Sequence, residues 1–239
     1  MIYKLRHFLP NAVTLGSLAL GIASIMLLHG ECFVMAASFI AIATILDVID
    51  GQLAMRFNAI TEVGKQLDSL ADMVTFGVAP TMFVYHLMLR MDTAPPVAVA
   101  SSLTFALAGA YRLARFNTLP SDRSAYFSGM PIPLGSLLLI AGWFWQHWTL
   151  NTWWVFFVVG VSYLMICPFS YPKLKHLTQL PALAWGILFL FGLSNWLLLG
   201  WQMIPFNLSL LYAIGGPLFV YVSQMRRPIE VIAQMEKNS

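Results

Sequence analysis

An all-α polytopic membrane protein is predicted by three features of the 239-residue sequence: 59% of its residues are hydrophobic, only 10% are charged, and eight apolar stretches approach bilayer length. Soluble domains carry about 25% charged residues, and a spanning helix needs about 20 mostly apolar ones. The mean hydropathy of +0.75 agrees. About eight transmembrane helices are expected, over 10–28, 33–50, 68–89, 95–117, 131–148, 152–169, 181–200 and 205–225. So little remains between them that residues 1–239 read as a single integral-membrane domain. Cys32 and Cys167 lie in separate apolar runs, which suggests neither a disulfide framework nor a thiolate metal site. A formal net charge of +3 is too small to suggest a nucleic-acid partner.

Taken in order, the spans alternate direction, and the basic residues assign the sides. Lys4 and Arg6 precede the first span, which ends in His29-Gly30-Glu31 without a small-residue cleavage pattern and is expected to be retained. Arg56 and Lys65 follow the second span. Arg112, Arg115 and Arg123 cluster at the end of the fourth, Lys173 and Lys175 after the sixth, and Arg226, Arg227 and Lys237 near the end of the chain. Of the 13 basic residues only Arg90 falls on the other side, so both termini are expected in the cytoplasm. Pro131 and Pro133 suit a helix entry. Trp143, Trp145, Trp153 and Trp154 gather around Asn151 as an aromatic belt at the outer interface.

One segment breaks the apolar pattern. Residues 46–72 read LDVIDGQLAMRFNAITEVGKQLDSLAD, with Asp47 and Asp50 spaced i,i+3 and Asp68 and Asp72 spaced i,i+4. Each pair shares a helical face. The run from Cys32 to Leu46 covers only about 22 Å as a helix, so Asp47 is expected near the cytoplasmic edge of the hydrocarbon core. Acids at membrane depth cost roughly 2.5–3.5 kcal/mol each. Three readings compete: ligands for divalent cations that clamp a phosphoryl group, an ion or proton pathway of a transporter, and helix glue paired with Arg56, Lys65 and Arg112. Gly51 and Gly64 leave the backbone open to a nucleotide or phosphate.

The spacing resembles the signature of the CDP-alcohol phosphotransferase family, D-x2-D-G-x2-A-R-x8-G-x3-D-x3-D. Asp47, Asp50, Gly51, Ala54, Gly64, Asp68 and Asp72 match it in order, while Met55 occupies the arginine position and Arg56 follows it. LPNAVTLGSLALG, LDSLADMVTFGVAP, YRLARFNT, YFSGMPIPLGS and ICPFSYPKLKH are similar to the type II phosphatidylserine synthase branch. The resemblance implies a six-helix core over about 1–175 with two additional helices at about 181–225, a homodimer in the cell membrane, and an active site open to the cytoplasm. It implies transfer of the phosphatidyl group of CDP-diacylglycerol to the hydroxyl of L-serine, releasing CMP. Asp47, Asp50, Asp68 and Asp72 are then expected to hold two Mg²⁺ or Mn²⁺ ions, Asp72 to deprotonate the alcohol, and Gly51, Ala54, Arg56 and Gly64 to receive the nucleotide. Other acceptors, namely glycerol 3-phosphate, inositol phosphate or choline, stay open within the family.

Two further pairs carry open readings. Arg112 and Arg115 share a face, as a clamp for the lipid phosphate or serine carboxylate or as positive-inside anchors. Asn11 and Thr14 border the lipid and substrate site or cap local backbone. His86 and His147 stand apart from the acids and are expected to be interfacial rather than metal ligands.

Overall fold

The computed structural model describes residues 2–118, 126–145, 151–172, 207, 209–217 and 220–221, of which 2–7, 126–127, 144–145, 151–152 and 172 are described by backbone alone. The span expected over 181–200, His147, Arg123, Lys173, Lys175 and the basic residues of the C-terminus lie outside them, as do the side chains of Lys4 and Arg6. The chain falls into two compact units, Met1–Leu119 with Pro131–Ile166, and Pro120–Met130 with Cys167–Ser239.

The first unit is helical. It contains α1 (Ile2–His29), α2 (Phe33–Arg56), α3 (Glu62–Asp72), α4 (Ala79–Arg90), α5 (Pro95–Thr118), α6 (Ile132–Ile140), α7 (Gly142–Trp145) and α8 (Asn151–Ile166). Among the described residues, four helices are long and apolar enough to cross a membrane: Phe8–His29, Phe33–Arg56, Glu62–Arg90 and Pro95–Thr118. Their 22 to 29 residues cover about 33 to 44 Å, more than the roughly 30 Å of hydrocarbon. The expected multi-pass helical architecture is therefore present, although eight spans are not all within view.

Several boundaries differ from the hydropathy reading: α1 begins at Ile2 rather than residue 10, and α2 runs on to Arg56 rather than ending at 50. The third span begins at Glu62 rather than Asp68, because Thr61 caps it: the Thr61 Oγ1 accepts from the Gly64 amide at 3.0 Å. Hydropathy does not register such a polar first turn. The fifth span is broken, since α6 stops at Ile140 and the chain turns at Ala141 before α7 resumes.

Polar small residues fasten these helices to one another. Ser17 Oγ donates to the Ala43 carbonyl at 3.3 Å and Ser24 Oγ to the Ala36 carbonyl at 3.0 Å, joining α1 to α2. Thr104 and Ser162 hydroxyls meet at 3.1 Å between α5 and α8. Alanines 36, 37 and 43 are buried on α2, while Ile42, Ile45, Val48 and Ile49 of the same helix are exposed. Small residues inside and large apolar ones outside are what lipid solvation selects, since association there depends on close backbone approach.

Between α3 and α4 the helix runs through a π turn, Met73–Val78. Thr75 in that turn is buried, and its hydroxyl donates to the Ser17 carbonyl at 3.3 Å. Gly21 of α1 lies against it so closely that a Cβ there would stand 2.8 Å from the Thr75 Cα. The extra residue per π turn resets the phase of the helix immediately after Asp72.

In the second unit a short antiparallel pair joins β1 (Tyr126–Ser128) to β2 (Ser170–Pro172), with Phe127 opposite Tyr171. Tyr171 is fully buried, and its hydroxyl donates to the Ala213 carbonyl at 3.1 Å. These two strands lie within YFSGMPIPLGS and ICPFSYPKLKH, so that residues 44 apart in the chain, Phe127 and Tyr171, face one another.

Candidate active site

Three helices build the site. The last turns of α2 carry Asp47, Asp50, Gly51 and Ala54; α3 carries Gly64 in its first turn, then Asp68, and ends at Asp72. Asn11 and Thr14 come from α1, just past Pro10, which cannot donate a backbone hydrogen bond within the helix. The loop between α2 and α3 passes through Asn58 at φ 50°, a left-handed position that asparagine tolerates.

One carboxylate oxygen from each of Asp47, Asp50 and Asp68 lies within 4.8 Å of the others. The Asp72 carboxyl is within side-chain hydrogen-bonding reach of Asp47. Thr14 Oγ1 stands 2.7 Å from Asp50 Oδ2 and 3.1 Å from the Pro10 carbonyl oxygen, two acceptors for its single proton. Both Thr14 and Asp50 are buried.

The donor set fits a hard divalent cation. Oxygens on an octahedral magnesium, bonded at about 2.1 Å, stand about 3.0 Å apart when adjacent and about 4.2 Å when opposed, so side-chain movements of about 1–2 Å bring the three acids onto one ion. Carboxylates so close repel strongly in a medium of low dielectric, and a cation reverses the sign of that interaction.

Beside the acids opens a cavity of about 110 Å³. That is several times the roughly 10–15 Å³ a single water needs, so it admits a small polar group. Asn11, Thr14, Asp50, Gly51, Ala54, Gly64 and Asp68 line it, bringing most of the expected residues into one place. The two motif glycines do different things there. A Cβ on Gly51 would meet nothing within 4 Å, so that position opens onto free space. One on Gly64 would come 3.1 Å from Thr61 Oγ1 and 3.2 Å from Asn11 Oδ1, so Gly64 makes room for the protein's own polar groups.

Other expected residues stand elsewhere. Arg56 is exposed on the last turn of α2 and is not among the lining residues. Arg112 is buried within the helices, and Arg115 Nη1 donates to the Ile166 carbonyl at 3.3 Å, capping the end of α8. His86 lies on α4, well along the chain from the acids.

Four residues were missed. Ala59, Ile60, Thr61 and Lys65 also line the cavity; Thr61 was detectable as a helix-capping threonine, while Lys65 was read toward orientation or as a helix-glue partner of the acids. Asn117, inside YRLARFNT, donates from Nδ2 to Ser69 Oγ at 2.9 Å and so ties α5 to α3 one residue past Asp68.

Known proteins share this arrangement of sequence. A family described as CDP-alcohol phosphatidyltransferase matches residues 7–168. Curated relatives called CDP-diacylglycerol--serine O-phosphatidyltransferase include one from Bacillus subtilis, 34% identical over 71% of this chain and 92% of its own length. One from Helicobacter pylori is 32% identical over 71% of this chain and 73% of its own. A third, from Methanocaldococcus jannaschii, is 32% identical over 75% of this chain and 81% of its own.

Proposed function

The chain belongs to the CDP-alcohol phosphatidyltransferase family, and on that premise we propose that it transfers the phosphatidyl group of CDP-diacylglycerol to L-serine, giving phosphatidylserine and CMP. The observation that carries the chemistry is the convergence of Asp47, Asp50 and Asp68 beside a cavity lined by Gly51, Ala54 and Gly64. Relatives named for serine at 32–34% identity over most of their length support the acceptor.

In this reading Asp47, Asp50, Asp68 and Asp72 hold two Mg²⁺ or Mn²⁺ ions, which when bound neutralise the diphosphate and the charge developing at phosphorus. Asp72 accepts the proton of the serine hydroxyl as its oxygen forms a bond to the lipid-linked phosphorus. The bond from that phosphorus to the bridging oxygen breaks, and CMP departs with the electron pair. Thr14 orients Asp50 through the 2.7 Å contact, and the open face of Gly51 receives the nucleotide. Asn11 borders the lipid and substrate. Arg112 and Arg115 serve the substrate phosphate or carboxylate in the same reading, with Arg115 sharing its guanidinium with the α8 terminus.

The membrane context follows the basic residues. Twelve of the 13 lysines and arginines fall on one side of the expected eight spans, which supports cytoplasmic termini and an active-site mouth on the inner face of the cell membrane. The functional unit is a homodimer among membrane lipids.

The test is CMP release by purified protein given CDP-diacylglycerol and either L-serine, glycerol 3-phosphate, inositol phosphate or choline. Release that requires serine together with Mg²⁺ or Mn²⁺ is the expected result. Preference for another alcohol would replace the acceptor, and ion flux without CMP formation would return the acids to a transport pathway.

A further inference from the structure

We infer that Lys65 supplies the positive charge that this cavity offers to the nucleotide diphosphate, in place of the arginine absent from position 55. The inference rests on the nucleotide reading of the same cavity. Met55 stands where the family signature has arginine; it is 63% exposed and does not line the cavity. Arg56 lies two helical steps beyond Ala54, about 200° round the axis, so it points away from the face that Asp50, Gly51 and Ala54 present. Among the described lining residues, Lys65 carries the sole positive charge.

Its position suits the task. Lys65 sits in the first turn of α3, beside Gly64, at the end of the helix whose dipole favours an anion. Its present partner is Glu62 Oε1 at 2.9 Å, with the two side chains 58% and 84% exposed. A surface pair of this kind contributes little and yields readily to a doubly charged diphosphate. The ammonium acts on phosphate as a mobile point charge at the end of a four-carbon stem, so it needs no fixed fork geometry.

Calorimetric titration of CDP, with Mg²⁺ present, into the purified full-length protein tests this without requiring turnover. Lys65→Met is expected to weaken CDP binding by about ten- to a hundredfold, the range for losing a charge-assisted contact. Lys65→Arg should keep binding within about threefold of wild type, because charge and reach are retained. Glu62→Gln should tighten it by releasing the ammonium. Wild-type affinity in Lys65→Met, or a larger loss in Arg56→Met than in Lys65→Met, would overturn the assignment. The two readings fail separately. CDP binding that depends on Lys65 in a protein unable to release CMP to serine would remove the acceptor and keep the lysine. Serine-dependent turnover alongside unimpaired CDP binding in Lys65→Met would do the reverse.

Discussion

The same helices carry charge at both ends and treat it in opposite ways. At the turn joining α1 to α2, Arg90 Nη1 meets Glu31 Oε2 at 3.2 Å, and its guanidinium lies 5.3 Å from the Trp143 ring centroid and 5.8 Å from that of Phe33. Phe33 and Trp143 stack at 4.5 Å. A cation, an anion and two aromatic faces complete one another within the protein. At the opposite end, carboxylates face carboxylates beside an open cavity. Both ends are polar, but only one has a charge that the protein's own nearby groups leave unbalanced. That imbalance, rather than the number of ionisable residues, separates a site from a staple.

The largest effect that sharpens this contrast is expected from Asp72→Asn. The amide keeps the shape and removes the base, so CMP release should fall by about two to four orders of magnitude while the purified protein elutes unchanged on size exclusion. Normal turnover would break the assignment of the acid end. Thr14→Val comes next. Without its hydroxyl, Asp50 loses a buried partner at 2.7 Å, and the Mg²⁺ or Mn²⁺ concentration for half-maximal activity should rise about 10- to 100-fold.

Gly21→Ala probes the packing that sets the phase of the acids. Its new methyl meets the π turn, so the thermal midpoint should fall by a few degrees, for a cost of about 1–3 kcal/mol. Gly160→Ala, where a Cβ meets nothing within 4 Å, should leave the midpoint unchanged or raise it slightly. Equal behaviour of the two variants would detach the π turn from the stability of the site. The smallest change belongs to the opposite end. Because Arg90 and Glu31 are largely exposed, Glu31→Gln should cost less than about 1 kcal/mol by thermal melt and leave CMP release intact.

Much of the acid site was legible in the chain because its spacing is local. Asp47 with Asp50, and Asp68 with Asp72, need only helical periodicity to share a face, and Gly51 and Ala54 follow on the same turns. Hydropathy likewise marked the first four spans, since apolar length is a property of contiguous residues. The start of α3 at Glu62 was obscured because a capped polar turn carries no hydropathic signal.

What tertiary structure alone decided are the contacts between distant segments. No spacing rule joins Asn11 to Gly64, Asn117 to Ser69, or β1 to β2, because each depends on how separate helices and loops meet. The same holds for which cation reaches the cavity: Arg56 and Lys65 are equivalent as sequence charges, and only helix phase turns one away and leaves the other at the rim. Composition and periodicity determined a membrane protein with a clustered acid motif; the crossing of α1, α2 and α3 decided that two of the acids, two threonines, two glycines and a lysine share one pocket.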